Sequence, residues 1–316
     1  MTFLVRNFKQ IIGTPHRKLF NIFTKKPNVK DPHFVRVGKI SPERPVPENI
    51  PKPDYYFGDG TLAMDTTGYP EIKNPDQIRH MRDACRTAAN VLKACHEIVQ
   101  EGITTDDIDA FVHDKVIKAG AYPSPLRYAG FPKSVCTSVN NVACHGIPDD
   151  RKLISGDIVN IDVTVFFNGY HGDCSKTFLV GDVDAKGRFL VESTEECVYK
   201  AIELCRPGQP FKAIGQFIER FAHERKLEPI PAYIGHGIGS YFHGPPEIYH
   251  FDNDLPGKME PNITFTIEPI LSLGGPEIDI EDDGWTSMTV DGALTAQFEH
   301  TILITENGSE ILTVPD

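Results

Sequence analysis

Residues 159–178 read VNIDVTVFFNGYHGDCSKTF, two runs in which apolar and polar residues alternate, joined by Asn168-Gly169. Asn-Gly between alternating runs is the strongest short-range sign of a two-residue hairpin turn, because both positions need a positive φ. With these two residues as the turn, Phe167 pairs with Tyr170, and counting back along the strands sets Thr164 opposite Asp173. Side chains alternate between faces with period two, so Asp162, Thr164 and Asp173 share a face. On a diagonal of that face the two carboxylates stand roughly 5–8 Å apart and repel strongly unless a cation lies between them. The hairpin is either an electrostatic fault or one side of a metal clamp.

Upstream of the hairpin, Asn74-Pro75-Asp76-Gln77 reads as an N-cap, a first-turn proline and a capping-box glutamine. Ile78, Met81, Cys85, Ala88, Val91, Leu92, Cys95, Ile98 and Val99 then keep helical spacing, and Gly102 ends the helix. A second helix starts at the cap Thr105-Asp106-Asp107, carries Ile108, Phe111, Val112 and Val116, and stops at Gly120. The period changes to two over 134–140 and through the hairpin. The order then repeats, with helices over 185–205 and 211–225 and strands over 263–271 and 297–304. Two helices and two strands, twice over, predict an α/β (α+β) fold whose halves meet at a shared sheet, where a cleft forms.

The first part of the chain has a different character. Residues 1–30 hold Arg6, Lys9, Arg17, Lys18, Lys25, Lys26 and Lys30 and no acid. On a helical wheel Phe3, Leu4, Phe8, Ile11 and Ile12 fall opposite Arg6 and Lys9, the pattern of an organellar transit peptide. A disordered basic tail or a membrane-surface helix is the alternative. Residues 31–70 are proline-rich, most densely in SPERPVPENIPKPD at 41–54, and read as an extended arm or linker. Periodic structure fills 71–316. Without its first 30 residues the chain carries 25 basic against 44 acidic residues, which excludes a basic nucleic-acid surface. No run approaches the roughly 18 uninterrupted apolar residues of a membrane span. Seven scattered cysteines with no Cys-X-X-Cys point to a reducing compartment rather than a disulfide framework or zinc finger.

Further polar residues sit where their surroundings make them costly. GHGIGSYFH places His236 and His243 among glycines and aromatics, FTIEPI sets Glu268 in an apolar strand, and AQFEHTILI does the same for Glu299. With Asp162 and Asp173 these make four carboxylates near the core, and no lysine or arginine lies in these strands to pair with them. Two divalent cations would balance the four charges, with His236 as a nitrogen ligand.

The order Asp162, Asp173, His236, Glu268, Glu299 resembles the ligand set of the methionine aminopeptidase and prolidase metallopeptidases, which share the pita-bread fold. NIDVTVFFNGYHGD, CHGIP, GHGIGSYFH, TIEP and QFEHT look like the methionine aminopeptidase version, and the resemblance covers about residues 41–316. The basic N-terminus without a zinc-finger region is similar to the mitochondrial type 1 group. Glu268 and Glu299 are too close in sequence for the helical insert of type 2 enzymes. The large N-terminal domain usual in prolidases is not seen either.

The resemblance implies two pseudo-symmetric halves around an antiparallel sheet with outer helices. Asp162 would bind one ion, His236 and Glu268 the other, and Asp173 and Glu299 would bridge them, with a bridging water or hydroxide as nucleophile. The ions would be Co, Mn, Fe or Zn. Glu268 would be the general base, His243 would stabilise the oxyanion, and His145 of CHGIP would contact the scissile amide nitrogen or the peptide backbone. Thr164, on the same face by the hairpin count, would hydrogen-bond the water. Tyr128, Phe131, Cys136, Phe242 and Trp285 correspond to the methionine pocket, where aromatic edges and a thiol suit a thioether. Pro125 stands where bacterial members often have cysteine. The implied substrate is the N-terminal methionine of nascent polypeptides with a small second residue, cleaved by a monomer in the mitochondrial matrix. An X-Pro peptidase and a non-catalytic binding protein on the same scaffold are the other readings; loss of ligands would mark the last, and all five ligand types are present.

Overall fold

Strands Ile158–Phe167 and Tyr170–Leu179 form an antiparallel hairpin with Asn168 at φ 52° and Gly169 at φ 85° in the turn. Phe167 falls opposite Tyr170 and Thr164 opposite Asp173, the register counted from the turn. The computed structural model describes residues 29–58 and 68–316. All but the last two residues of the basic stretch 1–30 lie outside the described residues, as do 59–67 of the proline-rich segment.

Among the described residues the hairpin belongs to a nine-stranded sheet. Its strands in chain order are β1 (Tyr122–Pro123), β2 (Cys136–Val139), β3 (Ile158–Phe167), β4 (Tyr170–Leu179), β5 (Gly235–Gly237), β6 (Gly244–Ile248), β7 (Thr264–Ile267), β8 (Glu299–Ile304) and β9 (Ser309–Ile311). Across the sheet the order is β1-β3-β4-β8-β7-β5-β6, with β2 added beside β3 and β9 beside β8, all antiparallel. Four helices cover it: α1 (Pro75–Ala94), α2 (Thr105–Lys118), α3 (Ala185–Ile202) and α4 (Lys212–Glu224). None is long and apolar enough to cross a membrane.

Both halves use the same division of labour. Along β3 the residues Val159, Ile161, Val163 and Val165 point to one face and join the apolar cluster made with Val91 and Leu92 of α1 and Ile108 and Val112 of α2. Asn160, Asp162 and Thr164, between them, point to the other. In the second half Phe265 and Ile267 of β7 and Ile302 and Ile304 of β8 pack with Leu190 and Val198 of α3 and Ile214 and Ile218 of α4. The helix-covered face is thus apolar in both halves, and polar side chains are sorted to the opposite face by the pleat alone.

α1 starts where its cap indicates. Asn74 Oδ1 accepts from Gln77 N at 3.0 Å while Gln77 Oε1 accepts from Asn74 N at 2.8 Å, a complete capping box. The cap of α2 is Thr104, one residue earlier than expected, with Asp107 closing its box. α1 ends at Ala94 instead of running to Gly102, because the chain tightens into a 3-10 turn over Cys95–Glu97.

The strands at 263–271 and 297–304 also differ from expectation. Each is broken: β7 ends at Ile267 and a new strand, Ile270–Ser272, follows Pro269, while Thr295–Gln297 and β8 are separated at Phe298. Ile270–Ser272, Thr295–Gln297 and Glu228–Pro229 form a separate three-stranded sheet. Glu268 and Glu299 therefore sit where a strand pair passes from one sheet into another, not inside continuous strands.

Residues 34–47 of the proline-rich segment are extended, Asp54–Phe57 form a single 3-10 turn, and the segment is fastened to the body. Arg44 Nε donates to Asp109 Oδ2 at 2.8 Å and its terminal nitrogen to Asp106 Oδ2 at 3.0 Å, while Ile50 is buried against Tyr122 and Leu126. Gly172 marks the closest approach of layers. A Cβ there would stand 2.6 Å from Cys85 Cα, inside the backbone of α1. We therefore expect Gly172→Ala to push α1 off β4 and cost about 2 kcal/mol, read as a lower urea midpoint at unchanged slope; an unaltered midpoint would refute this close packing.

Candidate active site

The register gathers the polar residues onto one surface. Asp162 pairs with Cys136 on one side and Ser175 on the other, and Ser175 pairs with Glu299. Directly opposed residues share a face. Asp173 lies two positions before Ser175, and Thr301 of β8 opposes Thr266 of β7, which precedes Glu268 by two. His236 of β5 is tied to the same row, its amide donating to Thr266 Oγ1 at 3.0 Å.

These side chains converge. Asp173, His236 and Glu299 each offer a ligand atom within 4.8 Å of the others. His236 Nε2 stands 3.8 Å from Asp173 Oδ2 and 3.6 Å from Glu268 Oε1. His236 Nδ1 faces the Gly237 carbonyl at 3.2 Å, an acceptor only, so Nδ1 carries the proton and Nε2 turns a lone pair toward the carboxylates. Asp162 and Asp173 are neighbours on this face, and the Asp162 carboxylate helps to raise Asp173. The Thr164 hydroxyl donates to Asp173 Oδ1 at 2.6 Å. Glu268 Oε1 accepts from Thr266 Oγ1 at 2.8 Å, and Gln297 Nε2 donates to the Glu268 carbonyl at 3.1 Å. Asn160 Nδ2 holds the Gln297 carbonyl at 2.9 Å. Buried Asp162 Oδ1 has no protein partner.

Without a cation this arrangement opposes ionisation. Burial pushes Asp162 up to about 7 and Glu268 up to about 8, and burial with the neighbouring carboxylates raises Asp173 and Glu299 well above the usual range. The same burial holds His236 down at about 4. A lone-pair nitrogen facing carboxylate oxygens, an orphaned Asp162 oxygen and no lysine or arginine ion pair to any of the four among the described residues fit divalent cations. The donor set, one imidazole with four carboxylates, suits transition-metal ions.

Around this face the expected pocket residues fall into two groups. Tyr128 lies 4.7 Å from Phe242 and 5.0 Å from His243 between ring centroids, and its hydroxyl is 2.6 Å from His243 Nδ1. On the other side Phe131 meets Trp285 edge-on at 5.1 Å, and Phe131 and Cys136 share a buried cluster with Ile147. His145, at φ 54°, sets its ring 4.9 Å from Tyr233 and 6.0 Å from Trp285. Burial holds His145 at about 4 and, with His236 and His145 beside it, keeps His243 well below its usual value. Both are neutral near pH 7. Burial and the nearby Asp162 carboxylate raise the Cys136 thiol, which stays protonated. Pro125, buried, supports Tyr128 by accepting from its amide at 3.0 Å.

Several contributors escaped the sequence reading. His171 stacks on Phe242 at 5.2 Å and 9° and was legible, because period two sets it on the face of Asp173. His250 Nε2 accepts from the Glu268 amide at 3.2 Å. Tyr55, from the proline-rich segment, packs 5.1 Å from Tyr128, and nothing in that aperiodic stretch signals it.

Residues 79–306 match the family described as Metallopeptidase family M24, and the chain belongs to that family of metal-dependent hydrolases. Its relatives within it carry a narrower name. The mouse protein called methionine aminopeptidase 1D, mitochondrial, is 54% identical over 276 residues, covering 87% of this chain and 81% of its own. Methionine aminopeptidase 1B, chloroplastic, of Arabidopsis thaliana is 50% identical over 297 residues, covering 94% and 80%. The crystal structure of methionine aminopeptidase from Rickettsia prowazekii superposes with a TM-score of 0.77 at 40% identity, over 78% of this chain and 100% of that one.

The raised carboxyls set the pH response of metal-free protein. A group whose pKa folding raises stabilises below its unfolded value and loses that contribution as pH climbs through the folded one. For Asp162 and Glu268 the loss runs from about 4 through about 7 and about 8. The depressed histidines act the other way, but only below about 6.5. Chelator-treated protein should therefore lose melting temperature between about pH 6.5 and 8.5, and metal-loaded protein should melt higher than chelated protein throughout. A chelated melting temperature that is flat or rising over this window would count against the buried carboxylate cluster.

Proposed function

We propose that this chain is a two-metal aminopeptidase that removes the initiator methionine from nascent proteins whose second residue is small. One observation carries the reading: four carboxylates, those of Asp173 and Glu299 buried and those of Asp162 and Glu268 half-buried, gather with a lone-pair imidazole nitrogen beside two groups of aromatic side chains, with Asp162 Oδ1 left without a protein partner. Asp162, Asp173, His236, Glu268 and Glu299 would hold the ions, Asp162 on one, His236 with Glu268 on the other, and Asp173 and Glu299 shared between them. Divalent cations at such a site supply Lewis acidity that makes water a usable nucleophile at neutral pH.

The chain's own groups do the rest. Thr164 fixes the orientation of Asp173 through one oxygen, leaving the other free to coordinate. Glu268, steadied by Thr266, takes the proton from the attacking water. For neutral His243 to meet the carbonyl oxygen with an Nε2–H as charge develops, its Nδ1 must be the acceptor, and the Tyr128 hydroxyl 2.6 Å away is placed to donate to it. His145 contacts the peptide backbone at the scissile amide. Tyr128, Phe131, Cys136, Phe242 and Trp285 enclose the methionine side chain, whose thioether gains from aromatic edges. Selection there is by size and shape.

We assign residues 1–30 to a transit peptide, 31–70 to an arm and 71–316 to the catalytic domain, working as a monomer in the mitochondrial matrix. The basic N-terminus and the mitochondrial designation of the mouse relative support this location. The chloroplastic relative carries a similar body, so the address lies in the N-terminus. Which of Co, Mn, Fe or Zn is bound depends on availability as much as affinity.

Purified protein should cleave Met-Ala-Ser and leave Xaa-Pro peptides intact; the reverse would mark an X-Pro peptidase. Asp162→Asn should abolish cleavage and reduce bound metal from about two ions per chain toward one. Full activity in that variant would overturn the two-metal reading.

A further inference from the structure

We infer that Tyr55, carried by the proline-rich arm, is a positioning residue for His243 and Phe242, so that docking of the arm completes the reactive site. This rests on the reading above in which His243 faces the scissile carbonyl.

Four rings stand in a column from the arm to the carboxylate face. Tyr55 lies over His171 with centroids 6.3 Å apart and planes 21° apart, His171 over Phe242 at 5.2 Å and 9°, and Phe242 over His243 at 4.1 Å and 28°. The last ring is 4.1 Å from His236. Tyr128 braces the side of the column, edge-on to Tyr55 at 5.1 Å and 82°, tilted against Phe242, and bonded through its hydroxyl to His243 Nδ1. Tyr55 also donates to the Ser124 carbonyl at 2.6 Å, and the Ser124 hydroxyl meets His171 Nδ1 at 2.9 Å. One arm residue thus touches both routes to His243, the stacked column and the tyrosine brace.

Rings packed this way cannot turn without displacing one another. Removing the outermost ring frees Tyr128 to swing, and His243 then loses the donor that keeps its proton on Nε2. The arm does not depend on Tyr55 for attachment. Arg44 pairs with Asp106 and Asp109, Ile50 is buried, and Tyr56 packs on Tyr122 at 5.6 Å with the Arg127 guanidinium 4.3 Å over its ring. Replacing Tyr55 therefore alters the column while the arm stays docked.

The test compares three full-length, metal-loaded variants with wild type on Met-Ala-Ser. Tyr55→Leu removes the ring, Tyr55→Phe keeps it and loses only the hydroxyl, and Tyr56→Leu removes an equivalent ring of the same turn that does not meet Tyr128. Tyr55→Leu should lower kcat about tenfold, Tyr55→Phe should restore most of it, and Tyr56→Leu should stay within about twofold despite a comparable fall in melting temperature. A second readout needs no turnover: the imidazole nitrogen signals of His243, assigned by their loss in His243→Asn, should move away from the Nε2–H form in Tyr55→Leu only. An unchanged His243 signal in Tyr55→Leu overturns the inference, as does a Tyr56→Leu variant that reproduces its effects. Should wild type fail to cleave Met-Ala-Ser, the peptidase reading falls while the His243 signal still decides the role of Tyr55.

Discussion

Four carboxylates gathered at one face of the central sheet, two buried and two half-buried, are the constraint on which the rest of this structure depends. Burial raises all four, repulsion from neighbouring carboxylates adds to it for Asp173, Glu268 and Glu299, and the histidine among them is neutral, so ionising this surface calls for cations that neutralise it. The remaining architecture keeps that surface in register. A slip of one residue in β3 would exchange Asp162 for Val163 and turn the apolar row to the inside of the site. Against such a slip stand the Asn168-Gly169 turn, the Thr164–Asp173 bond and the Thr301 hydroxyl donating to the Asp173 carbonyl.

The histidines follow from the same burial. His145 and His243 are kept neutral, His145 by burial and His243 by burial with the other histidines beside it. Their orientation comes from tyrosines, Tyr128 for one and Tyr233 for the other. The aromatic side chains around the carboxylate face thus pack against both imidazoles and limit how their rings can turn.

Much of this was legible in the sequence, for reasons that differ by element. The hairpin register could be counted because a two-residue turn leaves no freedom and the pleat converts spacing into facing. The ligands stood out because carboxylates in apolar runs are conspicuous, while their individual roles came only from resemblance to a family. The bends at Glu268-Pro269 and Phe298 were hidden: both strands stay apolar on passing from one sheet to the next, so period and composition do not change there, and Pro269 was the single cue. The premature end of α1 at Ala94 is invisible for a similar reason, since a 3-10 turn keeps apolar residues on much the same side. Tyr55 was beyond reach because its contacts lie 69 residues away at Ser124 and its own segment has no period.

The break at Phe298 bears on when the protein becomes capable of chemistry. β8 inserts between β4 and β7 in the middle of the sheet, and it brings Glu299 and the bond from Thr301 to Asp173 across 128 residues of sequence. Every earlier strand of the site can fold and still lack a ligand until this last segment arrives. A chain halted before it on the ribosome holds an open sheet without Glu299, so the full set of carboxylates forms only after this segment has been made.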